Sequence, residues 1–193
     1  MIIGISGKSG TGKTKLSEAL AKELNATLIS FDNISHMTIE TDSFKKLVKT
    51  QISPDVFDKN GNIDRKKLGN IVFADKEKLN LINNHSENLM VQIIDKLTQD
   101  NTKPHIIYEY SLLPLMKYFE MCDIKILITA NDQIRFSRIK NRDNISDEYL
   151  KSRELNSLNY DTNQFDLVVE NNLNKNFEIK KIVKQILKKE QLW

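Results

Sequence analysis

Cysteine is nearly absent from this sequence: Cys122 stands alone in 193 residues. One thiol excludes an internal disulfide framework and any metal site built from clustered cysteines, and it points to a reducing, cytoplasmic compartment. Lying just ahead of an apolar run, Cys122 reads as a packing residue. Long apolar stretches are missing as well. None reaches the roughly 18 residues that a membrane-spanning helix needs, and Met1 leads straight into a strand-like segment without a basic leader, so the expectation is a soluble, unexported chain with no membrane partner. Charge of one sign is also scarce. Lys and Arg number 29 against 26 Asp and Glu, and a net charge of +3 is too weak for the footprint of a nucleic-acid binder. Repeats, low-complexity tracts and linkers are absent too, and the length fits one compact α/β domain with a small insertion.

What is present begins with short apolar runs. Met1 to Ser6, Ala26 to Phe31, Ile106 to Tyr110, Ile124 to Thr129 and Leu167 to Glu170 each read as a strand. Helical stretches separate them, so a five-stranded parallel sheet covered on both faces is expected, because every parallel crossover needs a dozen or more residues. The interval 33–104 shows no strand pattern. It holds a helix from Lys76 to Leu97 with Asp75 as N-cap, and it reads as a mostly helical insertion between a core of about 1–32 and 105–193. Its Asp58-Lys-Asn-Gly61 stretch is turn chemistry and lacks the ligand spacing of a calcium loop. Helices are also expected over 132–141 and 146–158, and an amphipathic one over about 177–188.

The most informative segment is Gly7-Lys8-Ser9-Gly10-Thr11-Gly12-Lys13-Thr14, which matches Gly, four residues, Gly-Lys-Ser/Thr in full. It follows a strand and opens a helix carrying Leu16, Leu20 and Leu24. In that setting the backbone N–H groups and the helix N-terminus converge on phosphate oxygens. Glycines at 7, 10 and 12 allow close approach, Lys13 reaches the β- and γ-phosphates of ATP, and the Thr14 hydroxyl is placed to ligate Mg²⁺.

Such a loop does not by itself separate kinases from GTPases, motors or transporters, so the other strand ends decide. Asp32 follows the second strand and is either a general base for an acceptor hydroxyl or the cap of the next helix. Glu109 closes the third strand, as a carboxylate acting on Mg²⁺ through water or as an exposed strand end. Arg135, Arg138 and Arg142 share one helical face and suit a lid of about 138–150 that closes over ATP, with Arg138 and Arg142 favoured; a salt-bridged surface is the alternative.

Further matches suggest a family. Gly61, Asp64, Arg65, Leu68, Val72, Phe73 and His85, together with Arg138-Ile-Lys-Asn-Arg142-Asp and Phe165-Asp-Leu-Val-Val-Glu-Asn171, follow the order of residues in dephospho-coenzyme A kinases. The chain resembles that family over most of its length. The resemblance implies a P-loop NTPase fold with a helical acceptor-binding insertion and a lid, and transfer of phosphate from Mg·ATP to the 3′-hydroxyl of dephospho-CoA. It further implies that Asp32 is the catalytic base, that Arg138 and Arg142 serve the lid, that Asn171 lies near the adenine, and that Asp64, Arg65 and His85 belong to the acceptor region. A buried salt bridge accounts for Asp64 and Arg65 equally well, and His85 also reads as structural. Where the family has Asp-x-Asp, His-Pro and Pro-Leu-Leu, this chain has Ser30-Phe31-Asp32, His85-Ser86 and Ser111-Leu112-Leu113. A nucleoside or nucleotide kinase with another acceptor therefore stands beside the first reading. A switching ATPase or GTPase is the third, and the guanine-reading Asn-Lys-x-Asp is absent. The expected partner is a small molecule, and the chain a monomer or weak homo-oligomer.

Overall fold

The computed structural model describes residues 1–143, 145–146, 150, 154–155, 157–172 and 179–190, with the backbone alone described for 179–180 and 189–190. The chain divides into two compact units, one of Met1–Ser30 with Asn101–Trp193 and one of Phe31–Asp100.

The first unit is built on five strands: β1 (Ile2–Ser6), β2 (Ala26–Ser30), β3 (His105–Glu109), β4 (Ile124–Thr129) and β5 (Leu167–Glu170). All neighbours are parallel, in the order β2-β3-β1-β4-β5. Isoleucines fill the central strands because both faces of a parallel sheet are covered. Ile3, Ile5, Ile107, Ile124, Ile126 and Ile128 join Leu16, Leu20 and Leu24 of helix α1 (Lys13–Glu23) and Ile182 and Ile186 of the C-terminal helix (Ile179–Glu190) in one core. β5 lies at the sheet edge and leaves Val168 exposed. The strand ends Ser6, Ser30, Glu109, Thr129 and Glu170 come out along one edge of the sheet, where ligands of open parallel sheets bind.

The second unit is helical: α2 (Phe31–Thr38), α3 (Asp42–Leu47), α4 (Arg65–Phe73) and α5 (Lys76–Gln99), with a π-turn at Val48–Ile52 and a 3₁₀ turn at Pro54–Val56. Phe44, Val48, Ile52, Val56, Leu68, Val72 and Ile82 form its core. Three of these four helices, α3, α4 and α5, start at a capping side chain. Thr41 accepts from Phe44 N, Asp64 from Lys66 N and Lys67 N, and Asp75 from Glu77 N and Lys78 N. Asp58 closes the expected turn by accepting from the N–H groups of Asn60 and Asn62, and those bonds, chiefly the one from Asn62, lower its pKa.

Element boundaries differ from expectation where one residue fits two elements. β2 ends at Ser30 because Phe31 already begins α2, and β3 starts and ends one residue early, although Tyr110 N still bonds Ile5 O at 3.1 Å. The helix expected over 132–141 continues to Asp143 as α6 (Asp132–Asp143). Of the helix expected over 146–158, Leu150, Glu154 and Leu155 are helical, and 147–149, 151–153 and 156 lie outside the described residues. The same holds for 144 and 147–149 of the expected lid. The C-terminal helix, α7, runs over Ile179–Glu190; residues 177–178 of the expected span are likewise not described.

Candidate active site

Between Ser6 at the end of β1 and Lys13 at the start of α1 the chain makes a tight turn, with φ of 152° at Gly7, 79° at Gly10 and 98° at Gly12. Side chains are excluded by space as well as by φ. A Cβ on Gly7 would lie 2.3 Å from the Ile128 carbonyl oxygen, and one on Gly10 would lie 2.7 Å from that of Arg135. Both obstacles are backbone atoms, so the glycines let the loop press against β4 and α6.

α1 begins without a side-chain cap and without an acidic residue in its first turn, and Gly12 holds the N-cap position in a left-handed conformation. A helix start with neither a capping side chain nor an acidic residue in its first turn leaves its N–H groups and the positive end of its dipole suited to an anion. Lys13 follows at once, 8% exposed, with Thr14 exposed beside it.

Four consecutive carbonyls of the turn are held from the other side. Lys8 O accepts from Thr11 Oγ1 at 2.8 Å, Ser9 O from Arg135 Nη1 at 3.0 Å, Gly10 O from Arg138 Nη1 at 3.2 Å and Thr11 O from Asn171 Nδ2 at 2.7 Å. In a planar trans peptide C=O and N–H point in opposite directions. Fixing the carbonyls of Ser9, Gly10 and Thr11 therefore fixes which way the N–H groups of Gly10, Thr11 and Gly12 face. Arg138 Nη2 also donates to Asn171 O at 3.0 Å, and Asn171 N to Thr129 O at 2.8 Å, which joins these supports to β4.

On the neighbouring strands, Ser30 Oγ donates to Glu109 Oε2 at 2.9 Å. Glu109 is 2% exposed, so the alternative of an exposed strand-end residue does not apply. Ser6, fully buried one residue before the turn, has a hydroxyl without a hydrogen-bond partner among the described residues. An orphaned buried hydroxyl carries a desolvation penalty of about 1–3 kcal/mol, which fits a strand end adjoining a polar ligand.

The dephospho-CoA kinase family model matches residues 1–177. The chain belongs to the dephospho-CoA kinase family. The dephospho-CoA kinase of Fusobacterium nucleatum is 33% identical over 94% of this chain and 95% of its own length. That of Dehalococcoides mccartyi is 30% identical over 99% and 98%. Among solved structures, dephospho-CoA kinase from Campylobacter jejuni superimposes with a TM-score of 0.65 at 23% identity, covering 98% of each chain, a likeness of fold. This is the fold of P-loop kinases, and family membership makes the chain a kinase that uses ATP.

Against the family pattern the remaining residues stand as follows. Asp32 is exposed in the first turn of α2, inside the helix and not at its cap. Arg142, at the end of α6, exposes 61% of its side chain and donates to Asp143 through Nε at 2.6 Å and Nη2 at 2.9 Å. Asp64 caps α4, and Arg65 pairs with Glu40 at 3.9 Å on the surface, so buried salt bridging does not account for the two residues. His85, half-buried in α5, has Nε2 3.1 Å from Ser43 Oγ and its ring 6.3 Å from that of Phe44. Sequence reasoning ranked Arg135 below its neighbours and missed Glu154. Arg135 is 1% exposed and binds the loop directly, and Glu154 accepts from it. The i,i+3 spacing of Asp132 and Arg135 was a local signal; nothing local marks Glu154.

Proposed function

We propose that the chain transfers the γ-phosphoryl group of ATP to the 3′-hydroxyl of dephospho-CoA, the last step in making coenzyme A. The observation that carries this reading is the glycine turn with its carbonyls held outward ahead of an uncapped helix, in a chain that matches the kinase family through residue 177.

In this mechanism the N–H groups of the turn and of the α1 start hold the phosphates, and Lys13 neutralises charge on the group in transfer. Among the described residues no cluster of three or more His, Cys, Asp or Glu could hold a metal. Thr14, exposed at the start of α1, would lend its hydroxyl to Mg²⁺ together with phosphate and water oxygens, the way this ion usually binds with nucleotides. Held there, Mg²⁺ would supply Lewis-acid withdrawal of charge from the phosphate oxygens. Asp32 takes the proton of the attacking 3′-hydroxyl as the new O–P bond forms and the bond to ADP breaks. Arg142 adds positive charge near the transferring group, and Asp64, Arg65 and His85 belong to the acceptor region. The setting is a cytoplasmic enzyme, monomeric or weakly self-associating.

A second reading, a related nucleotide kinase with another acceptor, is favoured by one observation: Ser30, standing where the family has Asp, spends its hydroxyl on Glu109. Incubation with Mg·ATP and a panel of acceptors, with products identified by mass, separates the two. Phosphorylated dephospho-CoA as the dominant product supports the first reading; preference for a different nucleotide overturns it.

A further inference from the structure

Glu154 is remote from the phosphate turn in sequence yet bridges two of its supports. Oε1 accepts from Lys8 Nζ at 2.6 Å and Oε2 from Arg135 Nη2 at 2.7 Å. Arg135 in turn donates Nη1 to Ser9 O and Nε to Asp132 Oδ1 at 3.1 Å. Ser157 Oγ donates back to Glu154 O at 2.8 Å and to Oε1 at 3.2 Å, which limits the carboxylate's freedom. The two oxygens therefore span one residue inside the turn and the buried guanidinium that holds the next carbonyl. Charge-assisted bonds this short are among the stronger kinds, and Arg135, 1% exposed, relies on them to offset the desolvation of its guanidinium.

We infer that Glu154 is a positioning residue for nucleotide binding: by bridging Lys8 and Arg135 it fixes the Lys8–Gly10 segment so that the Gly10 N–H faces the phosphates. The inference rests on the nucleotide-binding half of the proposed function and is independent of which acceptor is used. Its sign sets it apart from simple electrostatics. Removing a negative charge beside a polyanion site lowers repulsion and frees Lys8, so through-space charge alone makes ATP bind more tightly when Glu154 is neutralised. Positioning makes it bind more weakly.

The test is the dissociation constant for ATP without acceptor, measured on the full chain for the native protein, Glu154→Gln and Glu154→Asp, with melting temperatures taken alongside. Glu154→Gln keeps the shape and removes the charge. Glu154→Asp keeps the charge and is one methylene too short to reach both partners. Both variants are expected to bind ATP about fivefold to thirtyfold more weakly, the size of one charge-assisted hydrogen bond, and to raise KM for ATP more than they lower kcat. ATP binding in Glu154→Gln that equals or exceeds native, with Glu154→Asp unchanged, overturns the inference. Because the readout needs no acceptor, a wrong acceptor assignment would show only in the substrate panel.

Discussion

The glycine turn of the first unit and the helical second unit use their candidate site residues in opposite ways. Around the turn the main chain itself is what the side chains serve: arginine, asparagine and threonine each donate to a named carbonyl. In the helical unit the residues singled out by family resemblance have local jobs or are exposed: Asp64 caps α4, Arg65 meets Glu40, and His85 meets Ser43. A backbone site tolerates few substitutions because every residue is constrained by φ or contact. A side-chain site can change acceptor by changing single residues, and this chain's departures from the family pattern at Ser30, Ser86 and Ser111 are side-chain changes.

The largest expected effect tests the first half of that contrast. Lys13→Ala should cut kcat/KM by about 10³–10⁵, the range seen when a cation on the transferring group is removed. Next comes Asp32→Asn, expected to lower kcat by about 10²–10⁴ with little change in melting temperature, since Asp32 is exposed; near-native turnover would remove it from the base role. Gly10→Ala should destabilise the fold by about 1–3 kcal/mol, read by denaturant unfolding, because a Cβ meets the Arg135 carbonyl at a φ of 79°. An unaffected midpoint would mean that the turn is not constrained as described. In the helical unit, Asp64→Ala should cost about 1 kcal/mol through loss of the α4 cap, whereas Asp64→Asn retains a capping oxygen and removes only charge. A rise in KM for dephospho-CoA in Asp64→Asn at native stability would add acceptor binding to the capping role.

The smallest effect concerns Cys122. Burial pushes its thiol up to about 12, against the opposing pull of Lys125. A raised folded pKa contributes stability that is whole below the unfolded thiol's value and is lost as pH rises through the alkaline range toward about 12. At neutral pH the thiol should resist alkylation in the folded chain and react on unfolding, as mass spectrometry would record.

How far the sequence disclosed all this follows the same division. The strands were legible because buried parallel strands are continuous apolar runs, and the phosphate turn was legible because only glycine satisfies positions such as 7 and 10. Helix starts at Asp64 and Asp75 carry local capping chemistry, and the apolar periodicity that follows Asp75 makes that start the more legible of the two. Phe31, expected to close the second strand, instead opens α2, since a buried aromatic at a strand end also suits a helix start. The bridge from Glu154 to Lys8 could not be read at all, because it joins residues 146 positions apart and leaves no periodic trace.

The measurement that tests the account most directly is ADP release from Mg·ATP by the native chain with and without dephospho-CoA. Release that depends on dephospho-CoA and matches the phosphorylated acceptor mole for mole is the predicted result. Equal release in both conditions, or none in either, would contradict it.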